Sequence, residues 1–398
     1  MKGQLVHVFF AAVCVCLLTG ADWLQFRGSD VNGLATDRAP TSWTEAAWTA
    51  ELPGRGVSSP IVIGNRVVLT SSSGYKQDRL HVHCFDTQTG EPSWERQFWA
   101  TGSTLCHNKT CVAAPTPASD GQRIFAFYSS GDVVCLDLEG NLRWFRALNH
   151  DFPNASNSLG MASSLVVVDG ALVVQIECDA ESFATGLDVE TGIARWKIDR
   201  PRRANWTSPG ILRGKTPDDD RVLLQSSAGL AAVDPATGQT TWSYEDGAST
   251  IPSSVVAASI AFVPSHGLTA LRPVPQSQST EILWRESRLG PSVGSPAVLE
   301  GRVYTANRAG VLSCADAATG QPVWRLRLKG PFSSSPVAAG GHMYFMNEQG
   351  LAQVVKLGDQ EGELVFTHEF GETILATPAI SRGALYIRSV ARLWKIAN

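Results

Sequence analysis

The stretch Ala232-Val233-Asp234-Pro235-Ala236-Thr237-Gly238-Gln239-Thr240-Thr241-Trp242 decides how this chain folds. An Asp or Thr side chain can bond the backbone of its own turn, and glycine takes a positive φ without a Cβ clash, so Asp234 to Gly238 reads as a tight reversal between strands. The phrase returns as Asp86-Thr87-Gln88-Thr89-Gly90, Asp188-Val189-Glu190-Thr191-Gly192 and Asp316-Ala317-Ala318-Thr319-Gly320. An aromatic residue closes each unit: Trp94, Trp144, Trp196, Trp242, Trp284, Trp324 and Phe366, at intervals of 50, 52, 46, 42, 40 and 42 residues. A period of that length signals supersecondary units stacked against one another.

Working outward from the turn, each unit opens on a small lead-in such as Ser58-Ser59-Pro60, Pro115-Thr116-Pro117, Ser208-Pro209, Ser295-Pro296, Ser334-Ser335-Pro336 or Thr377-Pro378. An apolar run follows, then a two-residue turn such as Gly64-Asn65, Asp169-Gly170 or Glu300-Gly301, then a second β-rich run. This is a hairpin pattern. A glycine turn near Gly74, Gly131, Gly229, Gly267, Gly310 or Gly350 leads to the third strand, and the Asp/Thr-Gly turn leads to the fourth.

Four short antiparallel strands in each of eight units predict an all-β, eight-bladed β-propeller over residues 44–398. The units lie at about 57–100, 112–150, 160–200, 205–246, 250–288, 292–330, 332–370 and 374–398, and the last stops before its own outer aromatic. Near the other end, Ala47-Trp48-Thr49-Ala50-Glu51-Leu52 is an unattached strand with the missing tryptophan. It is expected to complete the eighth blade, because an open ring would leave two blade faces and their strand edges exposed. The tryptophans are expected between blades, as packing residues rather than a binding cage.

Residues 1–21 read as a signal peptide: Lys2, an apolar run from Val8 to Leu18, and the small residues Thr19, Gly20 and Ala21. Residues 22–43 form an N-terminal extension. Export to the periplasm or the extracellular space is therefore expected, with no membrane span once the leader is cleaved. A net charge of −4 favours neither nucleic acid nor an anionic membrane as partner. In an oxidising compartment Cys106 and Cys111, five residues apart, are a disulfide candidate. Cys84, Cys135 and Cys314 each stand two residues before an aspartate and read as small core residues.

The small-residue, Asp, Thr-Gly, Trp phrase resembles that of the pyrroloquinoline-quinone (PQQ) repeat propellers, and the resemblance covers nearly all of the chain after the leader. The fifth unit lacks the Asp and Gly, and the seventh carries Phe366 in place of Trp. That family holds both quinoprotein dehydrogenases, which bind PQQ with calcium over the central channel, and exported noncatalytic propellers such as the BamB-like outer-membrane assembly proteins. The adjacent cysteines common in the enzymes are absent here, and their calcium-binding Glu and Asn and catalytic Asp match no positions of this chain.

Other motifs carry little. Gly290-Pro291-Ser292-Val293-Gly294 fits the nucleophile-elbow pattern, but a strand lead-in follows it instead of a helix. Gly214-Lys215-Thr216 lacks the upstream glycine of a phosphate loop, and Asp218-Asp219-Asp220 lacks calcium-loop spacing. His81 and His83 share a strand face but have no third ligand in sequence, so a polar surface position is expected and no metal site is assigned.

Binding residues are expected instead in the loops that lead from one unit to the next, which gather at one mouth of a propeller's channel. They carry Arg55, His107, Lys109, Asn157, Asn205, Trp206 and Glu372. The expected function is a noncatalytic exported binding or scaffold module, a monomer, for a protein, glycan or small ligand, with no cofactor. The alternative is a PQQ- and calcium-dependent alcohol or sugar dehydrogenase.

Overall fold

In a computed structural model, the structure describes residues 21–155, 159–274 and 277–397. All but the last residue of the expected signal peptide lies outside them. The described residues form eight four-stranded antiparallel sheets, and none of their helices is long and apolar enough to cross a membrane. Blade 1 consists of Ile61–Ile63, Arg66–Ser73, Arg79–Asp86 and Pro92–Trp99, paired in that order. Its innermost strand is buried at every position while its outermost alternates, as expected when one strand faces the ring's centre and the other the solvent.

Blade 8 closes the ring as expected. Ala379–Ser381, Ala384–Arg388 and Arg392–Ile396 form its first three strands, and Trp48–Glu51 supplies the fourth by pairing antiparallel to Arg392–Ile396. The hairpins between first and second strands use left-handed turns: Asp169 and Gly170 stand at φ 49° and 69°, Glu300 and Gly301 at 49° and 73°. That hand matches the twist of the flanking strands.

The repeat phrase works between blades. Trp144 Nε1 donates to the Val189 carbonyl and Trp196 Nε1 to the Pro235 carbonyl, each in the following blade's turn. Opposite the aromatic, the third strand carries a small residue: Cys84, Cys135, Gly186, Ala232, Ala270 and Cys314 pair with Trp94, Trp144, Trp196, Trp242, Trp284 and Trp324. A register shift follows each of these pairs and turns the indole toward the neighbouring blade. Burial pushes the Cys84 and Cys135 thiols up to about 12, which suits protonated packing groups.

Phe366 departs from the series for a structural reason. It pairs with Val354, a larger partner than the others, so the smaller ring conserves volume. The next blade is blade 8, whose third and fourth strands come from opposite ends of the chain and have no turn between them to accept an indole N–H. Trp43 of the N-terminal extension packs there instead, its ring centroid 4.6 Å from that of Phe366.

Two expectations are corrected. Cys106 and Cys111 are both free thiols. Gln77 stands between their segments, donating from Nε2 to Cys106 Sγ at 3.4 Å while its Oε1 accepts from Val112 N at 3.2 Å. His81 and His83 are not surface residues, being 4% and 3% exposed, because their strand face packs toward blade 8.

Candidate functional site

The first residue types to reach the channel are the hydroxyls of the lead-ins. Ser59 N donates to Thr116 Oγ1 at 3.0 Å, Thr116 N to Ser164 Oγ at 3.1 Å, Ser164 N to Ser208 Oγ at 2.9 Å and Ser208 N to Ser253 Oγ at 2.9 Å. The chain of bonds continues from Ser253 N to Ser295 Oγ at 3.0 Å, Ser295 N to Ser335 Oγ at 3.0 Å and Ser335 N to Thr377 Oγ1 at 2.9 Å. Thr377 N then donates to Ser59 Oγ at 3.1 Å and the circle is complete. Every blade thus satisfies a buried backbone N–H of its neighbour, and each oxygen keeps its own hydrogen for the lumen.

All eight hydroxyl residues line a narrow cavity of about 160 Å³ on the channel axis. Residues two positions upstream form an apolar collar at the mouth, including Val57, Ala162, Trp206, Ile251, Val293 and Leu375. The other end is closed by Phe26. The N-terminal extension carries Phe26 across that face as a strap, bridging Trp23 to Val62 in blade 1 and Leu34 to Ala338 in blade 7. Next to Phe26, the fully buried Arg27 donates to the carbonyls of Asn32 and Pro296, and burial lowers its guanidinium to about 9.

The mouth is crossed by residues 101–111. Asp132, buried in blade 2, accepts from Thr101 N at 3.0 Å and from the Thr101 hydroxyl, anchoring the start of this loop. His107 N donates to the Leu159 carbonyl at 3.0 Å, Arg55 donates to the Asn108 carbonyl, and Lys109 Nζ lies 2.8 Å from Glu348 Oε2 of blade 7. Thr110 reaches the cavity. The loop therefore lies over the axis, tied to both sides of the ring.

Of the residues expected at the mouth, Arg55, His107 and Lys109 meet in this loop assembly, and Trp206 joins the collar, its Nε1 donating to the Gly160 carbonyl at 2.7 Å. Asn205 is buried and serves the fold: its Nδ2 donates to Glu177 Oε2 at 3.0 Å and to the Gln225 carbonyl at 2.8 Å. Glu372 pairs within blade 8, with Arg392 at 2.7 Å and with the Ser389 hydroxyl. Asn157 lies outside the described residues. The hydroxyl belt and Phe26 were not expected; the recurring Ser/Thr before proline was the visible sign of the belt.

The residues at the mouth are poorly suited to a quinone with calcium. The cavity is smaller than the roughly 300–1,000 Å³ of ordinary cofactor sites. The buried acid behind the collar, Glu177, has both oxygens engaged: Oε1 accepts from Arg200 Nε at 2.8 Å and Gln175 Nε2 at 3.0 Å, Oε2 from Asn205. Burial holds its carboxyl above the usual range, and Arg200 and the amide donors offset this only in part. The carboxylate is thus already paired with a guanidinium and two amides and offers no free oxygen to a cation, so these residues do not fit the group.

The belt, the docked aromatics and the four-stranded blades define a PQQ-type eight-bladed propeller. The family model described as outer membrane protein assembly factor BamB matches residues 41–179, 101–261 and 276–389, and the chain belongs to that family. BamB from Moraxella catarrhalis is similar in fold, with a TM-score of 0.61 and 15% identity over 89% of this chain and 98% of that one. Quinohemoprotein alcohol dehydrogenase from Comamonas testosteroni gives 0.70 and 14% over 94% of this chain and 80% of that one. A polyvinylalcohol dehydrogenase of Sphingopyxis sp. (strain 113P3) is 24% identical over 252 residues, 53% of this chain but 36% of that relative's length.

Proposed function

We propose that this chain is an exported, noncatalytic PQQ-repeat propeller that binds a protein partner of the cell envelope through its mouth face. The observation that carries this reading is an apolar group around the loop over the mouth: Tyr75 is 76% exposed, Trp99 62% and Leu105 60%. The three belong together, because Gln77, two residues from Tyr75, bonds Cys106, and Ala100 N donates to the Asp78 carbonyl at 2.9 Å. Arg79 stacks on Trp99, its Cζ 3.8 Å from the ring centroid. Exposed aromatics beside an arginine are the residue types that anchor protein interfaces. The family's BamB description supports an envelope partner, and the poor fit of the mouth to a quinone speaks against the dehydrogenase reading.

The test is affinity capture from an envelope fraction with the full chain and with a Tyr75→Ala/Trp99→Ala/Leu105→Ala variant, alongside titration with PQQ and Ca²⁺. A partner retained by the parent chain and lost by the variant is the expected result. A saturable quinone absorbance change with dye-linked alcohol or sugar oxidation would establish the dehydrogenase reading instead.

A further inference from the structure

Blade 1 holds a second polar group, away from the channel. Its third strand places His81 and His83 on one face, with rings nearly parallel at 7° and centroids 5.6 Å apart. Glu95 is the register partner of His83 on the outer strand. Its Oε1 lies 2.6 Å from His81 Nδ1, and its side chain is 36% exposed, so the group is open to solvent on that side.

The far sides of both rings are held by serines of the second strand. His83 Nε2 lies 2.7 Å from Ser71 Oγ and His81 Nε2 lies 2.6 Å from Ser73 Oγ. Ser71 gives its own hydrogen to the Pro53 carbonyl at 2.6 Å, so its oxygen accepts from His83 Nε2–H. A neutral His83 then carries its lone pair on Nδ1, which has no hydrogen-bond partner among the described residues. Ser73 makes no other side-chain bond among the described residues, so its hydroxyl can rotate to accept from His81 Nε2 as Ser71 does from His83.

One ligand atom from each of His81, His83 and Glu95 lies within 4.8 Å of the others. We propose that His81 Nδ1, His83 Nδ1 and a Glu95 carboxylate oxygen form a site for a divalent transition ion of the zinc class, with water completing a tetrahedral shell. Two imidazoles and one carboxylate select such an ion over calcium or magnesium, which prefer oxygen. On binding, the hydrogen that His81 shares with Glu95 leaves Nδ1, and Nε2 carries the ring hydrogen toward Ser73. The two serines then serve as the outer partners that hold metal-bound histidines in place. Arg388 of blade 8 opposes the ion with its charge, and the Glu95 carboxylate offsets it.

The full chain is titrated with Zn²⁺ by calorimetry and with Co²⁺ by its visible absorption, after chelator treatment. One ion per chain is expected, with tetrahedral cobalt bands and no thiolate charge-transfer band. His83→Gln and Glu95→Gln are each expected to weaken binding by at least about ten-fold, and Ser71→Ala by less than either. Cys106→Ser, which removes a half-exposed thiol, leaves binding unchanged. Circular dichroism confirms that each variant is folded; Glu95, being partly exposed, gives a reading even if His83→Gln does not fold. Absence of saturable binding, or equal affinity in Glu95→Gln, overturns the site.

Discussion

The indole of Trp196 lies across Gly238 of the next blade, so that a Cβ on the glycine would stand 2.6 Å from Trp196 Cδ2. Gly90 bears the same relation to Trp48, Gly140 to Trp94, Gly192 to Trp144 and Gly320 to Trp284. Glycine is required there twice over, by its φ of 73° at Gly238 and by the ring above it. The two halves of the repeated phrase meet in different copies of it.

Gly238→Ala is therefore expected to cost about 2–4 kcal/mol, combining left-handed strain with a clash that the backbone must absorb. Gly121→Ala is the control, since Gly121 has a φ of 86° but no neighbour within 4 Å of the added Cβ. It should lose only about 1–2 kcal/mol. Midpoints of urea unfolding compare the two; equal losses would remove the ring contact from the explanation.

Phe366→Trp restores the aromatic found in the other units, yet it is expected to destabilise by about 1–3 kcal/mol. Val354 across the strand and the Trp43 ring at 4.6 Å crowd the position, and blade 8 offers no turn carbonyl to an indole N–H. A raised melting temperature would contradict this. Trp48→Ala should lose about 3–5 kcal/mol, as an interblade tryptophan whose Nε1 bonds the Thr87 carbonyl at 3.0 Å.

Ser295→Ala opens one link of the hydroxyl circle and leaves the buried Ser253 N–H without its acceptor. A loss of about 1–3 kcal/mol is expected, while Ser295→Thr, which keeps the oxygen, should recover most of it. Faster amide exchange at Ser253 in the alanine variant alone would locate the effect at that link.

Acid should weaken the turns. Asp188 is lowered to about 2, first by the Arg195 guanidinium and then by Thr191 and the turn's own N–H groups. Because its folded pKa lies below the unfolded value of 3.8, the stabilisation is fully present above about pH 4 and is lost as pH falls toward 2. The turn is solvent-exposed, which limits the effect to a few tenths of a kcal/mol. Asp188→Asn keeps an acceptor for the turn and should flatten that part of the stability profile by removing the charge.

Much of the fold was legible because it is local and repeated. Gly90 and Trp94, or Gly238 and Trp242, lie four residues apart, so turn chemistry and strand alternation are visible within one unit, and Trp48 stood out as the missing member of the count. The site was less legible. Arg55, His107, Lys109 and Trp206 fell at the mouth because loop order alone puts them there, but the inward bonds of Asn205 and the partner of Glu372 depend on side-chain direction.

By itself, then, the sequence determined the unit, its repetition and the strand that closes the ring, since hydrogen-bonding turns and apolar alternation act over a few residues. Tertiary structure alone decided what crosses between units: the circle from Ser59 to Thr377, the span from Lys109 to Glu348, and Phe26 beneath the channel. It also brought Glu95 to His81, fourteen residues away on the next strand, where register and not sequence distance sets what can touch.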